Sequence, residues 1–167
     1  MADSGRSRTF TWQDPFETAG HALKLSGLGF LQAIASGRIP KPPIAEALDF
    51  TLAEASEGLA VFTVEPKEFH YNPIGVVHGG LAATILDSAM ACSVQTILPA
   101  GKAYTTLELK VNLVRAITLK AGLLRAEGRL IHSGSRVATA EGRLVDKSGR
   151  LYAHGTTTCM IFDAPAP

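Results

Sequence analysis

Near the start of the chain, apolar residues recur at three- and four-residue spacing. Phe16, Ala19, Leu23, Gly27, Phe30, Leu31 and Ile34 form one stripe, the signature of an amphipathic helix. Asp14-Pro15 supplies an acidic cap and a proline at the first helical position, and Gly37 supplies a stop. One helix is therefore predicted from Pro15 to the mid-thirties, with Gly20, Gly27 and Gly29 making it dependent on docking. Ile39-Pro40-Lys41-Pro42-Pro43-Ile44 reads as a stiff, extended linker. The period then shortens to two. Ala47–Ala53 and Leu59–Val64 flank Glu57-Gly58 as a hairpin. Residues 79–98 are almost continuously apolar, Asp87 being their one charged residue. Four further strands follow: Ala103–Arg115, Leu123–His132, Arg136–Asp146 and Leu151–Phe162. In the first of these, Ala103, Thr105, Leu107, Leu109, Val111 and Leu113 are expected to be buried. Tyr104, Thr106, Glu108, Lys110 and Asn112 are expected on the polar face. Turn chemistry at Ser133-Gly134 and Lys147-Ser148-Gly149 makes the successive strands antiparallel. The predicted class is α+β, with about six strands and one long buried helix.

Composition narrows the picture. A chain of 167 residues suggests one domain with a core of its own. The 79–98 run is long enough to raise a transmembrane reading, but Asp87 at a bilayer centre would cost ~3 kcal/mol. Ser88, Ser93, Gln95 and Thr96 add to the case for a helix buried in a soluble protein. Cys92 and Cys159 lack metal-ligand or CxxC spacing and read as reduced, buried thiols. The opening residues are polar, with no signal-peptide core, which predicts a cytoplasmic protein. A net charge of +1 argues against a general nucleic-acid binder. Its distribution is uneven. Residues 1–100 hold six Lys and Arg against ten Asp and Glu, and residues 101–167 hold ten against five. The basic part suits a phosphorylated ligand or a solvated sheet edge.

Candidate chemistry concentrates at Asn72-Pro73-Ile74-Gly75-Val76-Val77-His78-Gly79-Gly80, just before the apolar run. Turn formation and a hydrogen-bonded structural histidine would explain much of it. Asp87 is harder to explain structurally, because a buried carboxylate needs a partner and no Lys or Arg is near in sequence. It either pairs with a distant base or faces a polar cleft, where it can act as base or nucleophile. Backbone N–H groups at Gly79 and Gly80, at the positive end of a helix, suit a developing oxyanion. An acid plus such a donor is the minimum equipment for acyl transfer from a thioester. Neither G-x-S-x-G, nor G-x-x-x-x-G-K-[ST], nor G-x-G-x-x-G occurs, and no metal-ligand spacing is present.

N-P-x-G-x-x-H-G-G over 72–80, L-A-A-T-I-L-D ending at Asp87, and T-T-L-E-L-K-V-N-L-V-R over 105–115 resemble hot-dog-fold thioesterases. The type is that of phenylacetate degradation (PaaI-like), which includes the Arthrobacter-type 4-hydroxybenzoyl-CoA thioesterases. The resemblance runs from about Ile44 to Phe162. It implies an antiparallel sheet wrapped around a long central helix over 44–163, preceded by a tail, helix and Pro-rich linker over 1–43. It implies an acyl-CoA thioesterase acting on an aryl or medium-chain acyl-CoA. Asp87 matches the nucleophile or general base, Gly79 the carbonyl-polarising glycine supported by His78, and Asn72 and Thr106 further catalytic positions. Gly80, Arg115, Gly134, Ser135 and Arg136 are candidates for CoA binding. No cofactor or metal is implied, CoA being part of the substrate, and neither nucleic acid nor membrane is an expected partner. A homodimer assembling further into a tetramer is expected. Phe30, Leu31, Leu86 and Met90 are expected to line the acyl pocket. A hot-dog hydratase or dehydratase, or a non-catalytic acyl-CoA-binding or sensing module, stays open beside this reading.

Overall fold

The computed structural model describes residues 5–164. Three short helices lead in: α1 (Pro15–Lys24), α2 (Gly27–Ala35) and α3 (Pro43–Leu48). Strands β1 (Phe50–Ser56) and β2 (Leu59–Val64) form a hairpin, and the central helix α4 spans Gly79–Gln95. Strands β3 (Lys102–Leu113), β4 (Leu124–Ser133), β5 (Val137–Asp146) and β6 (Leu151–Asp163) complete the chain. All six strands join one antiparallel sheet in the order β1-β2-β4-β5-β6-β3, so β1 and β3 are its two edges. The sheet wraps α4, the hot-dog arrangement. Among the described residues, no helix is long and apolar enough to cross a membrane.

Packing of α4 on the sheet requires very close approach. A Cβ at Gly128 would lie 2.1 Å from the Ala89 carbonyl oxygen, and one at Gly142 would lie 2.8 Å from Met90. These two glycines let β4 and β5 touch the helix. Ile85, Leu86, Ala89, Met90 and Val94 are fully buried there, against Leu124, Ala126, Ala140 and Leu144.

Three local expectations are corrected. The N-terminal stripe forms two helices, not one. Leu25 is extended, and Ser26 restarts the helix by accepting the Gly29 N–H on its Oγ. The break is tertiary in origin: the Gly27 N–H donates to the Leu98 carbonyl, and a Cβ at Gly27 would lie 1.8 Å from the Gln95 oxygen. Phe16, placed in the buried stripe by periodicity, is 83% exposed. The extended linker ends at Pro42, because Pro43 opens α3. Strand β1 accordingly starts at Phe50, after Asp49 turns the chain at φ 55°.

In β3 the pairing register with β6 slips between Thr106 and Glu108, leaving Leu107 as the extra residue of a β-bulge. Such a slip exchanges the faces of a strand. Tyr104 and Thr106 therefore face α4 before the bulge, in place of Ala103, Thr105 and Leu107. Beyond it Val111 packs on the core. Leu109 and Leu113, expected to be buried on the same face, are exposed, because β3 is a sheet edge with no further element beside it among the described residues.

Candidate active site

Helix α4 carries apolar residues all round, and its two faces meet different surroundings. Leu86 and Met90 lie against the sheet with no exposure, so they do not line the acyl pocket as expected. The opposite stripe, Asp87, Ser88, Ala91, Cys92 and Gln95, lines a cavity of about 510 Å³. This cavity opens between the two sheet edges and is walled by α2 (Phe30, Leu31, Ile34), the β1–β2 hairpin (Phe50, Leu52, Phe62) and β3 (Tyr104, Thr105, Thr106). Phe30 and Leu31 were expected there. The aromatic hairpin wall was not, because it comes from residues distant in sequence.

Asp87 is half-buried at this cavity. The Thr106 hydroxyl donates to its Oδ1 at 3.0 Å, a contact that the bulge makes possible. Oδ2 is left without a protein donor among the described residues. Asp87 joins none of the ion pairs found among those residues, and Lys41 at the same cavity is engaged with Glu46 at 3.3 Å. Facing a cleft, not a distant base, is thus how the fold accommodates this carboxylate. Burial pushes the neighbouring Cys92 thiol up to about 12, so it remains protonated and is no nucleophile at neutral pH. Cys159 is buried and also raised by desolvation.

The start of α4 forms a second region. His78 is the N-cap, and its Nδ1 accepts the Gly80 N–H at 2.8 Å. The expectation of two free N–H groups is therefore corrected: Gly80 is spent on the cap. Gly79 N–H, at the first helical position, makes no hydrogen bond among the described residues. Asn72 uses its Oδ1 to accept from the Ile74 and Val76 N–H groups, which shapes the turn and leaves its amide as a donor. Asn72, Gly79 and Arg115 line one cavity of about 280 Å³ with Leu113 and Val114. A Cβ at Gly79 would lie 2.5 Å from Leu113 Cδ1, so the helix start and β3 are in close contact.

The predicted residues thus separate into two groups, Asp87 with Thr106 and Asn72 with Gly79 and Arg115, lining different cavities. Gly134, Ser135 and Arg136 stand apart from both, in the exposed turn between β4 and β5. One residue missed in the sequence is His70. It is buried; its Nδ1 accepts the Lys67 N–H at 2.9 Å and its Nε2 lies 2.9 Å from the Leu48 carbonyl. Its own carbonyl accepts the His78 N–H, tying it to the cap. No spacing rule singles it out, since its partners lie on other elements.

A family profile described as the thioesterase superfamily matches residues 74–153. A solved phenylacetic acid degradation-related protein of Ralstonia eutropha is 30% identical, with a TM-score of 0.70. The match covers 78% of this chain and 98% of that one. The 1,4-dihydroxy-2-naphthoyl-CoA hydrolase of Listeria monocytogenes is 23% identical over 116 residues, 70% of this chain and 93% of that protein. Human acyl-coenzyme A thioesterase 13 is 27% identical over 110 residues, 65% of this chain and 76% of that protein.

Proposed function

We propose, from the premise that this chain belongs to the thioesterase superfamily, that it hydrolyses aryl or medium-chain acyl-CoA thioesters to the carboxylic acid and CoA. The observation that carries the reading is a carboxylate at a largely apolar cavity, one oxygen of which, Asp87 Oδ2, has no donor among the described residues, together with a Gly79 N–H that has no acceptor among them. As nucleophile, Asp87 attacks the thioester carbon, CoA thiolate leaves and takes a proton, and water hydrolyses the resulting anhydride. As general base, it takes a proton from water, whose oxygen attacks the same carbon; the adduct then expels CoA thiolate, which takes up that proton. In both routes negative charge develops on the carbonyl oxygen, where the Gly79 N–H and the helix dipole would stabilise it. Thr106 holds Asp87 through Oδ1, and His78 fixes the helix start. Arg115, beside Gly79, is the best-placed cation for CoA phosphates, with the Gly134–Arg136 turn a more distant candidate.

The two groups belong to different subunits in this reading. Gly79 and Asp87 are eight residues apart on one helix, about 12 Å at 1.5 Å rise per residue. An attacking atom must come within about 3–3.5 Å of the carbonyl carbon. Antiparallel α4 helices in a two-fold dimer would bring Gly79 and Asn72 of one protomer opposite Asp87 and Thr106 of its partner. Support comes from β3, which pairs only with β6 among the described residues and exposes Leu107, Leu109 and Leu113 along the sheet edge, with Val114 just beyond, the kind of edge that proteins cover.

The test is release of free CoA thiol by the purified chain from benzoyl-, phenylacetyl-, hexanoyl-, octanoyl- and decanoyl-CoA. Turnover of at least one is expected. Binding without turnover of any would overturn the reading in favour of a binding module, and hydration of an enoyl-CoA without thiol release would favour a hydratase.

A further inference from the structure

The cavity at Asp87 has a floor as well as walls. Asp87, Ala91 and Gln95 sit at four-residue intervals on α4 and all line it, so it runs along the helix for about 12 Å. At its far end Gln95 and Tyr104 also line a second cavity, of about 110 Å³, beneath the joint between α1 and α2. Gln95 and Tyr104 are the two residues common to both linings. The far cavity is bounded by Leu25 and Gly27, residues of the N-terminal segment that precedes the family match at 74–153.

The geometry points to Gln95 and Tyr104 as the residues that set acyl-chain length, selecting an unbranched chain of about octanoyl to decanoyl size. The inference rests on the thioesterase reading and adds the substrate class. A chain entering at Asp87 lies between the Ala91 face of α4 and the Phe30 and Ile34 face of α2. The lining along these two helices is apolar or small until Gln95, and Lys41, the cation of this cavity, is engaged with Glu46. The Gln95 amide has no protein hydrogen-bond partner among the described residues, and the Tyr104 hydroxyl has only Cys92 Sγ at 4.0 Å. A chain that reaches this floor must press methylenes on two polar groups, which is unfavourable without a compensating hydrogen bond. Up to that point each methylene removed from water gains about fourfold in kcat/KM; past it the gain stops.

Gln95→Ala is well suited to the test, since alanine is the best helix former and the backbone contacts of residue 95 remain. Removing the Gln95 side chain should join the space of about 110 Å³ to the main cavity. Ala91→Leu acts in the opposite direction by filling the cavity halfway along. The measurement is kcat/KM across hexanoyl-, octanoyl-, decanoyl-, myristoyl- and palmitoyl-CoA, with benzoyl-CoA alongside, for the full-length chain. The wild type is expected to peak at octanoyl or decanoyl. Gln95→Ala should raise the myristoyl-to-octanoyl ratio at least tenfold, and Ala91→Leu should lower the decanoyl-to-hexanoyl ratio at least tenfold. Unchanged ratios in both folded variants, or benzoyl-CoA exceeding every linear chain, would overturn the inference while leaving thioester hydrolysis intact. No hydrolysis of any substrate would overturn the thioesterase reading itself.

Discussion

Asp87 is where a single residue carries most of the account. It was legible in the sequence because a lone charge in an otherwise apolar helix needs a reason, and the cavity supplies one. Its partner Thr106 was legible only through the family resemblance. Strand alternation put it on the wrong face, since a bulge at Leu107 has no local signature. Gln95 and Tyr104 were invisible as a pair, because what joins them is the N-terminal segment folding back over both. Asp87→Asn keeps shape and leaves an oxygen to accept from Thr106, so the fold should persist. A loss of at least ~10²-fold in kcat is expected. Full activity in a folded variant, measured by thiol release, would remove Asp87 from the mechanism.

Among the elements, α4 was readable from its apolar run and the H-G-G start, and its boundaries agree with the expected ones at Gly79. The N-terminal helices were not, because their break is set by docking and not by propensity. Gly27 shows the reason: its hydrogen atom faces the Gln95 carbonyl, where no Cβ fits. Gly27→Ala should therefore push α2 off the end of α4 at a cost of about 1–3 kcal/mol. Urea unfolding would show this as a lower midpoint; an unchanged or raised midpoint would mean that the contact is dispensable.

His70 links the end of α3, at the Leu48 carbonyl, to the cap of α4, at the His78 N–H, and it predicts a pH dependence. Desolvation is the main cause holding its imidazolium below the ordinary value of 6.5. Its Nδ1 must stay unprotonated to accept the Lys67 N–H. With the folded value depressed, the unfolded chain binds the proton first as pH falls. Stability from this group is therefore full above about pH 6.5 and is lost as pH drops from there toward the lower folded value. Thermal melts between pH 7.5 and 5 should show a steeper fall for wild type than for His70→Gln. Parallel curves would show that His70 does not titrate in this way.

At the scale of the whole molecule, charge and assembly come together. The basic excess after residue 100 includes Arg115, which shares a cavity with Gly79 and Asn72. A phosphate contact remote from the reacting carbon stabilises ground and transition states alike. Arg115→Ala should thus raise KM for acyl-CoA several-fold with little change in kcat, an effect that shrinks at high salt. The same KM change with acyl-pantetheine, which lacks the nucleotide, would contradict the phosphate role.

Fold class was readable from strand count and turn chemistry, and a dimer was expected from the resemblance and the Gly79–Asp87 spacing; the apolar edge was not readable, because the leucines on β3 read as a buried face and are exposed. The central claim is that each site draws Asp87 and Gly79 from different chains. Gly79→Pro removes the N–H while suiting the first helical position, and His78 at ψ 131° accepts a following proline. The Leu113 side-chain tip can move away from the new ring. Asp87→Asn and Gly79→Pro chains should each be nearly inactive alone. Refolded together at equal amounts, half of the dimers are mixed and each holds one intact site, so about a quarter of wild-type thioesterase activity should return. Mixed dimers that form and stay inactive, or a fully active wild-type monomer, would contradict the shared site.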